Sequence, residues 1–134
     1  MRCVLDASMA LSFVIADEFT AKSKRTLASV VSDGALVPTL WTFEVLNAVL
    51  SAQIRGRLSP AAATNAINGL EALPIERDGR TIDGVRLTAL SREFELTVYD
   101  GAYLALALDA NLPLATLDAR LTKAATAAGV ALMR

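Results

Sequence analysis

Cys3-Val4-Leu5-Asp6-Ala7-Ser8 sets three apolar residues against one acid and two small residues at the start of the chain. A short unbroken apolar run followed at once by helix-capping side chains reads as a buried parallel strand feeding a helix. Short candidate strands return at Ala35-Leu36-Val37, which Pro38 closes, at Ile75-Glu76-Arg77, at Leu114-Ala115-Thr116 and from Val130 to Met133. Helical segments fill the intervals. Thr20 to Ser32 carries Leu27, Val30 and Val31 on its apolar side, and Asp33-Gly34 ends it. Thr39 to Arg55 is stopped by Gly56, and Ser59-Pro60 starts a helix running to Leu73. Arg80 to Phe94, Tyr99 to Ala110 and Ala119 to Ala128 complete the set. Strands alternating with helices predict an α/β domain with a mostly parallel sheet and right-handed crossovers.

The chain has 134 residues, 54% of them hydrophobic and 20% charged, which excludes a disordered chain and predicts one domain over residues 1–134. There is no histidine, so Ser-His-Asp triads, Cys-His dyads and His-based zinc sites are excluded. The lone Cys3 excludes an intrachain disulfide and fits a reducing cytosol. Uncharged runs such as Ala7 to Ala16 and Val45 to Ile54 are about ten residues long, short of the ~18 that span a membrane. Asp6 interrupts the first apolar stretch and Asp17-Glu18 follow it, which argues against a signal peptide and for a cytoplasmic protein.

Four acids stand alone in apolar surroundings. Cys3 to Ala16 holds only Asp6, Gly34 to Ile54 only Glu44, Leu96 to Leu108 only Asp100, and Ala110 to Ala119 only Asp118. A carboxylate in such a neighbourhood costs several kcal/mol unless it is hydrogen-bonded, neutralised or bound to a cation. Taken singly, Asp6, Asp100 and Asp118 read equally as helix caps, and Glu44 as a solvated helical position. Taken together, they fall on one edge of the sheet if the first and fourth strands are neighbours, because ligands of open parallel sheets bind beyond the strands' carboxyl ends. Oxygen ligands without His or Cys suit a hard cation, Mg²⁺ or Mn²⁺. Ser8, Asn47 and Thr116 lie beside them as candidates to orient a carboxylate or hold a water, or as local turn and cap groups.

At Leu5-Asp6-Ala7-Ser8, Glu44-Val45-Leu46-Asn47, Tyr99-Asp100-Gly101-Ala102-Tyr103-Leu104-Ala105-Leu106-Ala107 and Leu114-Ala115-Thr116-Leu117-Asp118 the chain resembles the PIN-domain ribonucleases, and among them the VapC toxins of toxin–antitoxin pairs. Gly101 departs from the family's more usual Ala after the acid. The resemblance implies a three-layer α/β/α fold with a five-stranded, mostly parallel sheet. It also implies Mg²⁺ or Mn²⁺ in the acid cluster, cleavage of RNA, neutralisation by a cognate antitoxin and a homodimer. By position, Asp6 and Asp100 are then the principal metal ligands, and Glu44 and Asp118 complete the catalytic quartet.

Metal-activated water is the expected nucleophile, leaving a 5′-phosphate and a 3′-hydroxyl. Arg55, Arg57, Arg77, Arg80, Arg86, Arg92, Arg120 and Lys123 are candidates for contact with RNA phosphates, or simply a solvated face. Trp41, Phe43, Ile54 and Leu58 are candidates for a groove that receives an antitoxin, or simply core. Two other functions compete. One is an aspartyl-phosphate phosphatase using Asp6, against which Ser8 stands where a second acid is usual. The other is a non-catalytic cation-binding interaction domain.

Overall fold

The computed structural model describes residues 1–134. Four strands, β1 (Cys3–Leu5), β2 (Ala35–Pro38), β3 (Ile75–Asp78) and β4 (Leu114–Ala115), form one sheet in the order β3-β2-β1-β4. Every pairing is parallel, with Val4 facing Leu36 on one side and Leu114 on the other. The chain therefore builds outward from β1 through β2 to β3, then returns to the opposite side of β1 for β4. The strand order reverses at β1, and a crevice opens there beyond the carboxyl ends of β1 and β4.

The expected fifth strand is not formed. Val130 to Met133 does run beside β4, but with a single parallel bridge between Leu114 and Leu132. Gly129, at φ 78°, turns the chain into this position, and the bonds of Leu114 N–H to Ala131 and Met133 N–H to Leu114 are its whole ladder. One bridge next to a two-residue strand does not extend the sheet, so the sheet has four strands.

Seven α-helices surround it: α1 (Ala7–Ser12), α2 (Ala21–Asp33), α3 (Leu40–Ile54), α4 (Pro60–Glu71), α5 (Gly84–Glu93), α6 (Val98–Ala110) and α7 (Ala119–Ala127). Their starts follow capping chemistry. Thr20, Ser59, Asp83, Thr97 and Asp118 each accept a backbone N–H of the first turn. Asp83 delays α5 to Gly84 rather than the expected Arg80, because its carboxylate takes the Arg86 N–H. α6 is the central helix, packed on β1, β2 and β4 and flanked by α5 and α7, while α3 packs against α1 and α4. Its apolar sequence matches that place, with Tyr103, Leu104, Leu106 and Ala107 buried.

Gly101 is explained by a close approach. A Cβ there would clash with Ser91 Oγ on α5, so any side chain at this position requires Ser91 to shift. Trp41 also belongs to the core, at 2% exposure, and not to a surface groove. Phe43 and Ile54 are exposed as a groove would need, at 75% and 76%, and Leu58 is half-buried.

Candidate metal site

Asp6 follows β1, Asp118 follows β4, Glu44 lies on α3 after β2, and Asp100 sits in the first turn of α6. β1 and β4 are neighbours, so Asp6 and Asp118 flank the crevice as their positions predict. Three of the acids are held above the usual carboxyl range, in part by the charge of their acidic neighbours. Burial raises the Asp6 carboxyl above the usual range, and Asp118 pushes it further. Burial likewise raises Glu44, with Asp6 and Asp100 adding to the shift. Burial raises Asp100 too, reinforced by Asp118 and Asp6 and opposed by the Thr97 hydroxyl and the charge of Arg120.

Three of the carboxylates are anchored through one oxygen. Asp6 is 5% exposed and occupies the N-cap position of α1, yet it makes no side-chain cap bond. Instead its Oδ2 accepts from Ser8 Oγ at 2.7 Å and from Thr116 Oγ1 at 2.6 Å. The two hydroxyls are themselves held by backbone, since Leu117 N–H donates to Ser8 and Asp118 N–H to Thr116. Both land on one oxygen, which leaves Asp6 Oδ1 clear of them. Glu44 Oε1 accepts from Tyr103 Oη at 2.6 Å, leaving Oε2 without a donor. Asp118 Oδ1 accepts the Leu121 N–H at 2.9 Å, so its reading as a cap of α7 is correct as local geometry, and Oδ2 remains. Asp100 is not a cap, because Thr97 takes that role and accepts the Asp100 N–H.

None of the four acids belongs to an ion pair; every salt bridge involves other carboxylates. Four hard oxygen donors with free lone pairs, mutual repulsion and no basic partner have the chemistry of a divalent-cation site. As placed, no three of them are close enough together to hold an ion, so the set is open rather than a closed cage.

The supporting candidates divide. Ser8 and Thr116 are tied directly to Asp6, and to each other at 3.4 Å. Asn47 is exposed on α3 without a side-chain hydrogen bond to any of the acids, so only its helix position supports the expectation. Tyr103 was not foreseen in this role. A tyrosine inside a nearly all-apolar helix signals it, because a buried hydroxyl demands a partner and the ring places one in reach of α3. Its own hydroxyl is pushed well above the ordinary value by burial and then by Glu44, so it stays a donor. Cys3 is a buried thiol pushed up to about 11 by burial, which leaves it unreactive.

The basic candidates also separate. Arg57 pairs with Asp17 and Glu18, Arg80 with Asp78, and Arg86 with Asp109. Arg77 donates to Thr42 and lies over the Trp41 ring at 5.5 Å. Arg55, Arg92, Arg120 and Lys123 are free of ion pairs.

The fold is a parallel α/β sheet with four carboxylates that lack ion pairs placed toward the edge where the strand order reverses. The chain belongs to the PIN domain family, whose family profile matches residues 3–127 and whose members are generally metal-dependent nucleases. Among solved structures it is similar to PAE2754 from Pyrobaculum aerophilum, with a TM-score of 0.71 and 20% sequence identity over 92% of this chain and 84% of that one. At that identity the likeness is one of fold. No curated protein matches the sequence. No helix is long and apolar enough to cross a membrane.

Proposed function

We propose that this chain is a Mg²⁺- or Mn²⁺-dependent endoribonuclease of the cytosol, the toxin of a type II toxin–antitoxin pair. The observation that carries the reading is the set of four acids on one sheet edge, none of them ion-paired. Asp6 and Asp100 are the principal ligands, with Glu44 and Asp118 completing the set. A divalent ion bound there supplies Lewis acidity for phosphodiester hydrolysis. The chain's own contribution is orientation. Ser8 and Thr116 fix one Asp6 oxygen. Tyr103 does the same for Glu44, and the Leu121 amide for Asp118. Removal of one of these anchors should weaken metal binding by about 10–100-fold, the range for groups that orient ligands.

A protein partner is supported by Phe43, Leu50 and Ile54, which share one exposed face of α3. In this reading that face meets an antitoxin or a second copy of the chain. The test is cleavage of a cellular RNA pool by purified protein with Mn²⁺, Mg²⁺ or EDTA. Cleavage with either metal, 5′-phosphate ends and loss in EDTA are expected. Asp6→Asn and Asp100→Asn should each lower kcat by more than about 100-fold, beyond what outer groups cost. Products ending in 2′,3′-cyclic phosphate, or a fully active Asp100→Asn protein, contradict the proposal.

A further inference from the structure

Beside the acids, on the same edge of the sheet, lies a groove of about 330 Å³. Pro38 and Asp78, the last residues of β2 and β3, line it, so it opens beyond the carboxyl ends of these strands as the acid crevice does beyond β1 and β4. It shares helices with the acids. Leu40 on its wall is one turn before Glu44 on α3, and Tyr99 is the chain neighbour of Asp100 on α6.

The cations of this groove are already engaged. Both guanidinium arms of Arg86 donate to Asp109, and Arg80 donates to Asp78. Three acids, Asp78, Asp83 and Asp109, stand against these two bases, which leaves no positive charge for a phosphate. Half of the lining is hydrophobic, and Ile82, Val98 and Tyr99 stay exposed along it, Tyr99 at 65%. The remaining polar capacity is mainly for accepting hydrogen bonds. Asp83 has no cationic partner and receives only the Arg86 N–H, at Oδ1. Thr39 opens α3 without a side-chain cap bond, so its hydroxyl is not used there.

A neutral, flat group with apolar faces and an edge of N–H donors meets these conditions, and a nucleobase is such a group. Unpaired bases of RNA stack on aromatic rings and are read at their hydrogen-bonding edges. Guanine sets two adjacent N–H donors on one edge, which suits a carboxylate. Uracil sets its one N–H between two carbonyl oxygens that a carboxylate repels.

We propose that the groove holds one unpaired base of the RNA beside the cut, guanine in preference to uracil, with the base stacked on Tyr99 and its edge read by Asp83. This rests on the RNA-cleaving reading above and adds a sequence preference to it. Tyr99 and Asp83 determine specificity, since they meet the flanking base and not the reacting atoms.

The experiment uses fluorogenic single-stranded uridine oligomers with or without one central guanosine. Initial rates are taken with Mn²⁺, and anisotropy of the uncut strands is measured in EDTA. Wild type should cleave and bind the guanosine strand about tenfold better, the discrimination expected of one good edge contact, with its cuts beside the guanosine. Tyr99→Ala should weaken both measurements on that strand by about 5–150-fold, the range for a lost base–aromatic stack. Tyr99→Phe keeps the ring and should stay near wild type. Asp83→Asn retains a capping oxygen for α5 but replaces an acceptor with a donor, so the guanosine preference should vanish while cleavage of the all-uridine strand persists. Val85→Ala, at an exposed apolar position of α5 outside the groove lining, should change neither measurement.

Equal handling of the two strands by wild type overturns the inference. So does a Tyr99→Ala protein with wild-type binding, a Tyr99→Phe protein as weak as Tyr99→Ala, or a guanosine preference kept by Asp83→Asn. If Tyr99→Ala keeps wild-type RNA parameters but loses a protein partner, the groove is a protein site and the inference fails. A wild-type protein that cuts cellular RNA with no guanosine bias at its cuts overturns the inference and leaves the nuclease reading intact. One that neither cuts nor binds RNA overturns the nuclease reading itself, and this inference with it.

Discussion

Tyr103→Phe removes one oxygen atom and keeps the ring that fills the core. Tyr103 is fully buried, and its hydroxyl donates to Glu44 Oε1 at 2.6 Å across the α6–α3 gap. A hydrogen bond to a charged group contributes about 1.5–3 kcal/mol net. Glu44 is only half-buried and can take water in exchange, and the variant no longer buries a hydroxyl, so the expected loss is about 1–2 kcal/mol. For a chain of this size that lowers Tm by about 4–8 °C. The bond also holds Glu44 down against burial and its acidic neighbours, so without it the Glu44 carboxyl rises further. The destabilisation should therefore be largest where Glu44 is ionised and shrink as pH falls through its titration. Thermal unfolding followed by circular dichroism in EDTA, from neutral to acidic pH, reads both effects. A variant that melts with wild type at neutral pH, or whose deficit is independent of pH, refutes the assigned role.

Asp100→Asn should stabilise the metal-free protein at pH 7. Its raised carboxyl favours the fold in the neutral form, a contribution present below the ordinary carboxyl range and lost as pH rises through the raised value. The gain, a few tenths to about 1 kcal/mol for a half-exposed group, should vanish in acid, and denaturant titrations at pH 7 and in acid check it. Gly101→Ala should destabilise by about 1–3 kcal/mol through the clash with Ser91 Oγ, less the better helix propensity of Ala. Ser91→Ala removes that oxygen and should recover most of the loss in the double variant, so additive denaturant midpoints would refute the explanation.

Much of the fold lies open in the sequence because buried parallel strands are unbroken apolar runs. Cys3–Leu5 and Ala35–Pro38 are fully buried, and each reads as a strand without its neighbours. The tail from Val130 to Met133 has the same composition but not the same pairing, since its one bridge to Leu114 depends on what β4 offers. Trp41 shows the converse limit. A tryptophan amid Phe43 and Leu46 does not announce which face of α3 is inward, and only packing against the core decides it. The four acids are legible because a lone charge in apolar sequence needs an explanation. Their anchors are less so: Ser8 and Thr116 are near Asp6 in chain or motif, whereas Tyr103 is 59 residues from Glu44 and is joined to it only by the fold. Pairings such as Arg86 with Asp109 are invisible for the same reason.

The central claim is that Asp6, Glu44, Asp100 and Asp118 make one divalent-cation site. Calorimetric titration of Mn²⁺ into wild type, Asp6→Asn and Asp100→Asn tests it without any assumption about substrate. Saturable binding by wild type, a gain in unfolding free energy that follows mass action, about 2.7 kcal/mol at a hundredfold excess over Kd, and loss of both in the two variants are predicted. Equal Mn²⁺ binding by all three proteins, or none by wild type, would contradict it.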